Sequence, residues 1–314
     1  MIRRWLALPQ SDLLVLLLVL GGLVALFGVG AQGFLGKASL GSLANRLPAL
    51  LLVSTGMTLL MVTGGIDLSV GSVLGLCGAV TGVLMVDEAW GWVPALAASV
   101  ALGGFVGSIN GWISVKLRLP SFIVTLGMLE IARGLAFLAT HSQTKYIGAA
   151  IEGLGAPIAG WVVSPAFLLA VVTAGMGQML LSRTVFGRHL IAVGANPEAA
   201  AISGIAIDPP RIWTHVLLGG LTGLAAVVNC SRLGSADPNA GVGFELSVIA
   251  AVVVGGTSLR GGRGSVLKSL LGVLIVATLE AGLVQLGASE PLKRVATGCV
   301  IVAAVLADTW RRRT

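Results

Sequence analysis

Long apolar stretches that carry no charge on any face limit what this chain can become. Leu13 to Phe27 and Trp161 to Leu181 are the clearest of them, and each approaches the roughly 20 helical residues that cross the hydrocarbon of a bilayer. A soluble core would have to hide several such runs at once. It would also carry about a quarter charged residues, whereas only 11% of these 314 residues are charged and 56% are hydrophobic. Strands of a membrane barrel would alternate apolar and polar residues, and these runs do not. The 45 glycines suit membrane helices, where small residues let backbones approach.

The hydropathy pattern predicts an all-α polytopic membrane protein, one transmembrane domain over 1–314. Ten spans are expected, near 12–33, 48–64, 69–86, 91–113, 121–140, 161–181, 211–230, 245–259, 266–286 and 293–309. The spans at 48–64 and 245–259 are short and abut glycine-rich stretches, so broken, tilted or re-entrant helices are expected there. The first run follows a basic start but is too long for a secretory signal's apolar region, and it is read as a retained helix.

Lysine and arginine give the orientation. With both ends cytoplasmic, the inner side collects Arg3, Arg4, Lys116, Arg118, Arg183, Arg188, Arg211, Arg260, Arg263, Lys268, Arg311, Arg312 and Arg313. That is about thirteen basic residues against about six outside, the bias of the positive-inside rule. The net charge of +7 is therefore topological. Its scatter, without aromatic interleaving, argues against nucleic acid.

Several motifs fail. No GxxxxGK[ST] loop is present, and Gly28, Gly30 and Gly33 match GxGxxG without the strand and helix it requires. Cys77, Cys230 and Cys299 are isolated, and His141, His189 and His215 are too scattered for a metal site; His189 is expected on a solvated loop. Asn229-Cys230-Ser231 borders a span and carries no weight as a glycosylation acceptor. Pairs such as Gly71 with Gly75 and Gly107 with Gly111 are read as helix-crossing contacts. Gly64-Gly65 and Gly255-Gly256 head faintly similar stretches, a hint of duplicated halves.

The longest cytoplasmic loop, 183–211, is more informative. Asn196 can cap a helix, Pro197 suits its first position, Glu198 complements its positive end and Gly204 can stop it. The small side chains of Ala199, Ala200 and Ala201 would let another protein come close, so a docking helix and a plain connector are both open readings.

Charges at membrane depth usually face a bundle interior or a wet path. Glu130 and Arg133, three apart, are expected to form a structural ion pair. Asp67 and Glu245 each have a helix-start reading. With Asn239 and Phe244 they are also the candidates for a solute path or gate, since glycines flank the short span on both sides.

Glu198-Ala199-Ala200 with Gly204 resembles the EAA-type loop of ABC importer permeases. TGGIDLSVGS (63–72), LPSFIVTLGMLEIARG (119–134) and SRLGSADPNAGVGFELSVIAAVVVGGTSLRGGRGS (231–265) resemble the ribose-type permeases of bacterial monosaccharide importers, a likeness that covers about 45–308. It implies an inner-membrane subunit that pairs with a second permease, identical or paralogous. An ATPase subunit would use ATP and Mg on the cytoplasmic side, and a periplasmic binding protein would deliver the solute. Gly194, Asn196, Glu198, Ala199, Ala200 and Gly204 would form the coupling element. The chain itself would bind no cofactor or metal and catalyse nothing. The alternatives are the same architecture serving a nucleoside, branched-chain amino acid or furanosyl signal, an ion-driven secondary transporter, or a passive channel.

Overall fold

The computed structural model describes residues 10–158 and 163–310. Arg3, Arg4, Arg311, Arg312 and Arg313, used in the predicted orientation, lie outside the described residues, as does the start of the span predicted at 161–181.

The chain runs through α1 (Gln10–Gly30), α2 (Lys37–Val62), α3 (Val70–Val86), α4 (Trp92–Lys116) and α5 (Ser121–Thr140). After the two-residue β1 (Lys145–Tyr146) come α6 (Glu152–Gly155), α7 (Pro165–Arg183), α8 (Val185–Ala195), α9 (Pro197–Ile202) and α10 (Asp208–Leu233). Then β2 (Ser235–Ala236) pairs antiparallel with β1, and α11 (Phe244–Val254), α12 (Val266–Gln285) and α13 (Glu290–Trp310) follow. Among the described residues, seven helices are long and apolar enough to cross a membrane: α1, α2, α4, α5, α7, α10 and α12. The predicted spans at 69–86 and 245–259 are the shorter α3 and α11. The last predicted span lies in α13, whose Lys293, Arg294 and Asp308 exceed the charge of an ordinary crossing.

The span expected to be short at 48–64 is instead the 26-residue α2. Lys37, Ser39, Ser42, Asn45 and Arg46 cut the apolar window at its start, and Pro48 reads as a breaker. Pro48 nevertheless lies inside the helix; it leaves the carbonyl four residues earlier without its helical donor, a loss that packed membrane helices tolerate. α2 is the centre of the bundle: Leu52, Val53, Met57, Leu60 and Met61 are wholly buried, and α7, α10, α11 and α12 pack around it.

α4 and α10 share the most extensive helix contact. A Cβ on Gly103 would strike the carbonyl of Gly219, and one on Gly219 would strike that of Gly103. Gly107 and Gly111 likewise face His215 and Ile212 of α10, as their spacing predicts. Ser99 adds a hydroxyl donated to Gly223 O at 2.8 Å, a bond of about 1 kcal/mol.

Gly71 and Gly75 serve a different contact. Along α3, a Cβ on Gly82 would meet the side chains of Ala236 and Lys145. On Gly75 it would meet Ala240 O, and on Gly71 both Gly241 O and the Glu245 carboxylate. The segment after β2 therefore runs down the glycine face of α3 as irregular backbone, over a length of about 16 Å at the helical rise. Only then does α11 begin. The short, broken or tilted helix predicted at 245–259 is thus the 11-residue α11, entered through an irregular stretch.

The likeness of the two Gly-Gly stretches has a local cause. Gly64 (φ +84°) and Gly256 (φ +83°) close α2 and α11 in the same way. Gly64 N donates to Met61 O and Gly65 N to Leu60 O; Gly256 N donates to Val253 O and Thr257 N to Val252 O. Both are Schellman caps, which call for glycine in the left-handed region.

Candidate functional site

The 183–211 segment holds two helices where one was expected. Thr184 starts α8 by accepting from Gly187 N at 3.0 Å, and Leu190 and Val193 are buried at its inner face. His189, expected on a solvated loop, lies within this helix. At its far end Gly194 presses on the last turn of α2: a Cβ there would collide with Val62 O and Gly262 N, two atoms already joined by a 2.8 Å hydrogen bond. A glycine is required because three pieces of backbone meet at that point.

α9 follows immediately, built as its sequence predicts. Asn196 Oδ1 accepts from Ala199 N at 3.0 Å, Pro197 occupies the first turn with Glu198, and Gly204 (φ +78°) ends it. Ala200, expected on a partner-facing surface, is turned inward at 4% exposed, and its carbonyl accepts from Ile205 N. The outward face is Glu198, Ala199, Ala201 and Ile202. Ile202 was not anticipated, although it is 90% exposed; an isoleucine beside a helix-ending glycine was the available signal. Beyond α9, Lys116 Nζ holds Asp208 Oδ2 at 2.8 Å and ties the exit to α4.

The intramembrane candidates divide into two places. Asp67 is buried, with Oδ1 accepting from Ser69 N (2.8 Å) and Ser69 Oγ (2.6 Å) and Oδ2 from Asn110 Nδ2 (3.1 Å). It ties the α2–α3 link to α4, beside a cavity of only about 10 Å³. No hydrogen bond or ion pair joins it to Asn239 or Glu245 among the described residues. Asn239 is exposed and bonded to Asp237 within its own turn, whereas Glu245 lies over Gly71 in the first turn of α11. Asn110 was missed, and a lone amide within an apolar span was its signal.

Arg133 makes no ion pair with Glu130 among the described residues, contrary to expectation. Its Nη1 donates to Pro238 O at 2.7 Å and Ala240 O at 2.8 Å, while Glu130 is on the exposed face of α5. The irregular stretch supplies carbonyls with no helical donor, and a guanidinium satisfies them better than a carboxylate exposed at the helix surface would satisfy the guanidinium. Glu245, Glu130 and Asp237 provide the negative charge around it.

Phe244 lines a cavity of about 380 Å³ between α2, α11, α12 and α13. Its polar wall contains Arg46, Ser247, Glu280, Lys293 and Arg294, and Ser247 donates to Glu280 Oε1 at 3.0 Å. Glu280, a carboxylate inside a predicted span, was overlooked. Among the described residues no three His, Cys, Asp or Glu side chains converge on a metal position.

Residues 39–305 match the family described as branched-chain amino acid transport system / permease component. The chain belongs to this permease family. Its relatives narrow the group to the ribose-type sugar permeases. The permease is 36% identical to ribose import permease protein RbsC of Escherichia coli (strain K12), over 99% of this chain and 96% of that one. It is 37% identical to RbsC of Bacillus subtilis (strain 168), over 91% and 89%, and 34% identical to the L-arabinose transport system permease protein AraH of E. coli K12, over 99% and 93%. No solved structure matches.

Proposed function

We propose that this chain is the membrane subunit of an ABC importer in the bacterial inner membrane. It takes a pentose or similar sugar from a periplasmic binding protein and passes it through a path shared with a second permease copy or paralogue. Ten crossings are counted by adding α3, the stretch ending in α11, and α13 to the seven long helices, which leaves both ends cytoplasmic. The outward face of α9 docks an ATPase subunit, which alone uses ATP and Mg. Near full-length kinship with ribose and arabinose permeases carries this reading. The polar cavity beside Phe244 is compatible with a hydroxylated solute, since its wall offers both donors and acceptors.

The test is uptake of labelled ribose and arabinose into proteoliposomes holding the permease, its ATPase and its binding protein. Uptake that requires all three components and ATP is expected, and the permease alone should hydrolyse no ATP. Uptake driven by an ion gradient without ATP would refute it. The family's amino-acid description supports one rival, which labelled leucine in the same assay addresses.

A further inference from the structure

At the end of the bundle that carries α8 and α9, a second cavity of about 580 Å³ opens among the ends of α2, α4, α5 and α10. That volume falls within the range of small-molecule sites. Ser114, Arg118, Ser121, Asp208, Arg211 and His215 are among its lining. None of them belongs to the cavity beside Phe244.

Its charge is unbalanced. Asp208 is engaged by Lys116, whereas no hydrogen bond or ion pair reaches the guanidinium of Arg118 or Arg211 among the described residues. Its buried polar atoms are unbalanced too. His215 is 2% exposed and Ser114 is 7% exposed, yet His215 Nε2 and Ser114 Oγ have no partner. His215 Nδ1 lies 2.9 Å from Arg211 O; a carbonyl can only accept, so Nδ1 carries a proton, and with the ring neutral Nε2 is an acceptor. Topology accounts for basic residues at this end, exposed Arg118 among them, but not for the half-buried Arg211 or for the buried, unpartnered His215 Nε2 and Ser114 Oγ. Asp208 also attracts Arg211, but one carboxylate already held by Lys116 does not balance two guanidinium groups, and a neutral sugar has no use for that excess of positive charge.

We propose that this cavity binds a phosphate ester that also bears hydroxyl groups. Arg118 and Arg211 take the phosphoryl oxygens, as guanidinium forks do. Ser114 donates to the same group, and His215 Nε2 accepts from a ligand hydroxyl. Two sources share that chemistry: a glycerol-phosphate lipid headgroup, reachable because the cavity lies at helix ends, and a soluble sugar or polyol phosphate.

The full chain in phosphatidylcholine nanodiscs would be titrated with sn-glycerol 3-phosphate and with inorganic phosphate, following 31P line broadening. Saturable binding is expected, tighter for the ester. Arg118→Gln and Arg211→Gln should each weaken it roughly tenfold, and Arg188→Gln, on α8 outside the cavity, should not. Arg118→Lys and Arg211→Lys should retain part of the binding and show that the fold tolerates change there. His215→Phe should erase the preference for the ester over inorganic phosphate. In nanodiscs containing phosphatidylglycerol, a headgroup ligand would block the soluble ester and remain bound in native mass spectra unless both arginines are replaced. A soluble ligand would bind equally in both bilayers. No saturable binding of ester, phosphate or phosphatidylglycerol, or binding indifferent to the arginines, would overturn the proposal, as would occupancy by a carboxylate of the ATPase in the assembled importer.

Discussion

The α4–α10 pair and the stretch from Ser235 to Val254 both carry the chain through the bundle, by opposite means. In the pair, each helix satisfies its own backbone, so closeness is limited only by side-chain bulk, and Gly103, Gly107, Gly219 and Gly223 remove it. In the stretch, the part from Ser235 to Gly243 is not helical, and its carbonyls need donors from elsewhere. Arg133 provides them across more than a hundred residues of sequence. The first arrangement is a frame that tolerates little displacement. The second is held by a few hydrogen bonds and by packing on the α3 glycines.

The largest expected effect tests the frame. Gly219→Leu puts a branched side chain where the backbone of Gly103 already sits, and should abolish monodisperse protein in size-exclusion chromatography. If that variant behaves as wild type, the close crossing is not what holds α4 to α10. Next in size is Arg133→Ala, which strands two carbonyls bonded to a charged donor and should cost about 3 kcal/mol, seen as a lower thermal midpoint in detergent together with lost transport. Arg133→Lys should recover part of both. An Arg133→Ala protein of unchanged midpoint would mean the stretch is held by packing on the α3 glycines alone. Smallest is Asp67→Asn. Asn110 can turn its amide so that Oδ1, which has no partner, meets the new donor, but it then gives up the bond from Nδ2 to Ser69 Oγ, so the loss should be about 1 kcal/mol. Asp67→Ala should cost about 1–3 kcal/mol by leaving Ser69 and Asn110 donors unmet, and equal losses in the two variants would contradict this account of the site.

The same contrast explains what could be read in the sequence. α5, α12 and the α9 cap at Asn196 were legible because their signals are local: an apolar run between polar ends, or a capping residue before proline. The start of α2 was hidden because its first turns are polar and Pro48 resembles a stop. α8 was missed for want of a charge pattern, since its only long polar side chains are Arg188 and His189. Arg133 was misjudged because Glu130 is three residues away while its actual acceptors, Pro238 O and Ala240 O, are joined to it only by the fold. Ala200 was placed on the wrong face for a similar reason: in a six-residue helix, spacing alone does not say which side meets the protein's own body.

The claim that α9 couples this permease to an ATPase is tested most directly by mass spectrometry of what co-purifies with the tagged chain in mild detergent, wild type beside Glu198→Arg. The account predicts a stoichiometric ATPase subunit with the wild type, lost in the variant while the permease stays intact and monodisperse. An ATPase retained equally by both would contradict coupling through α9. No ATPase with either intact protein would contradict the importer reading itself.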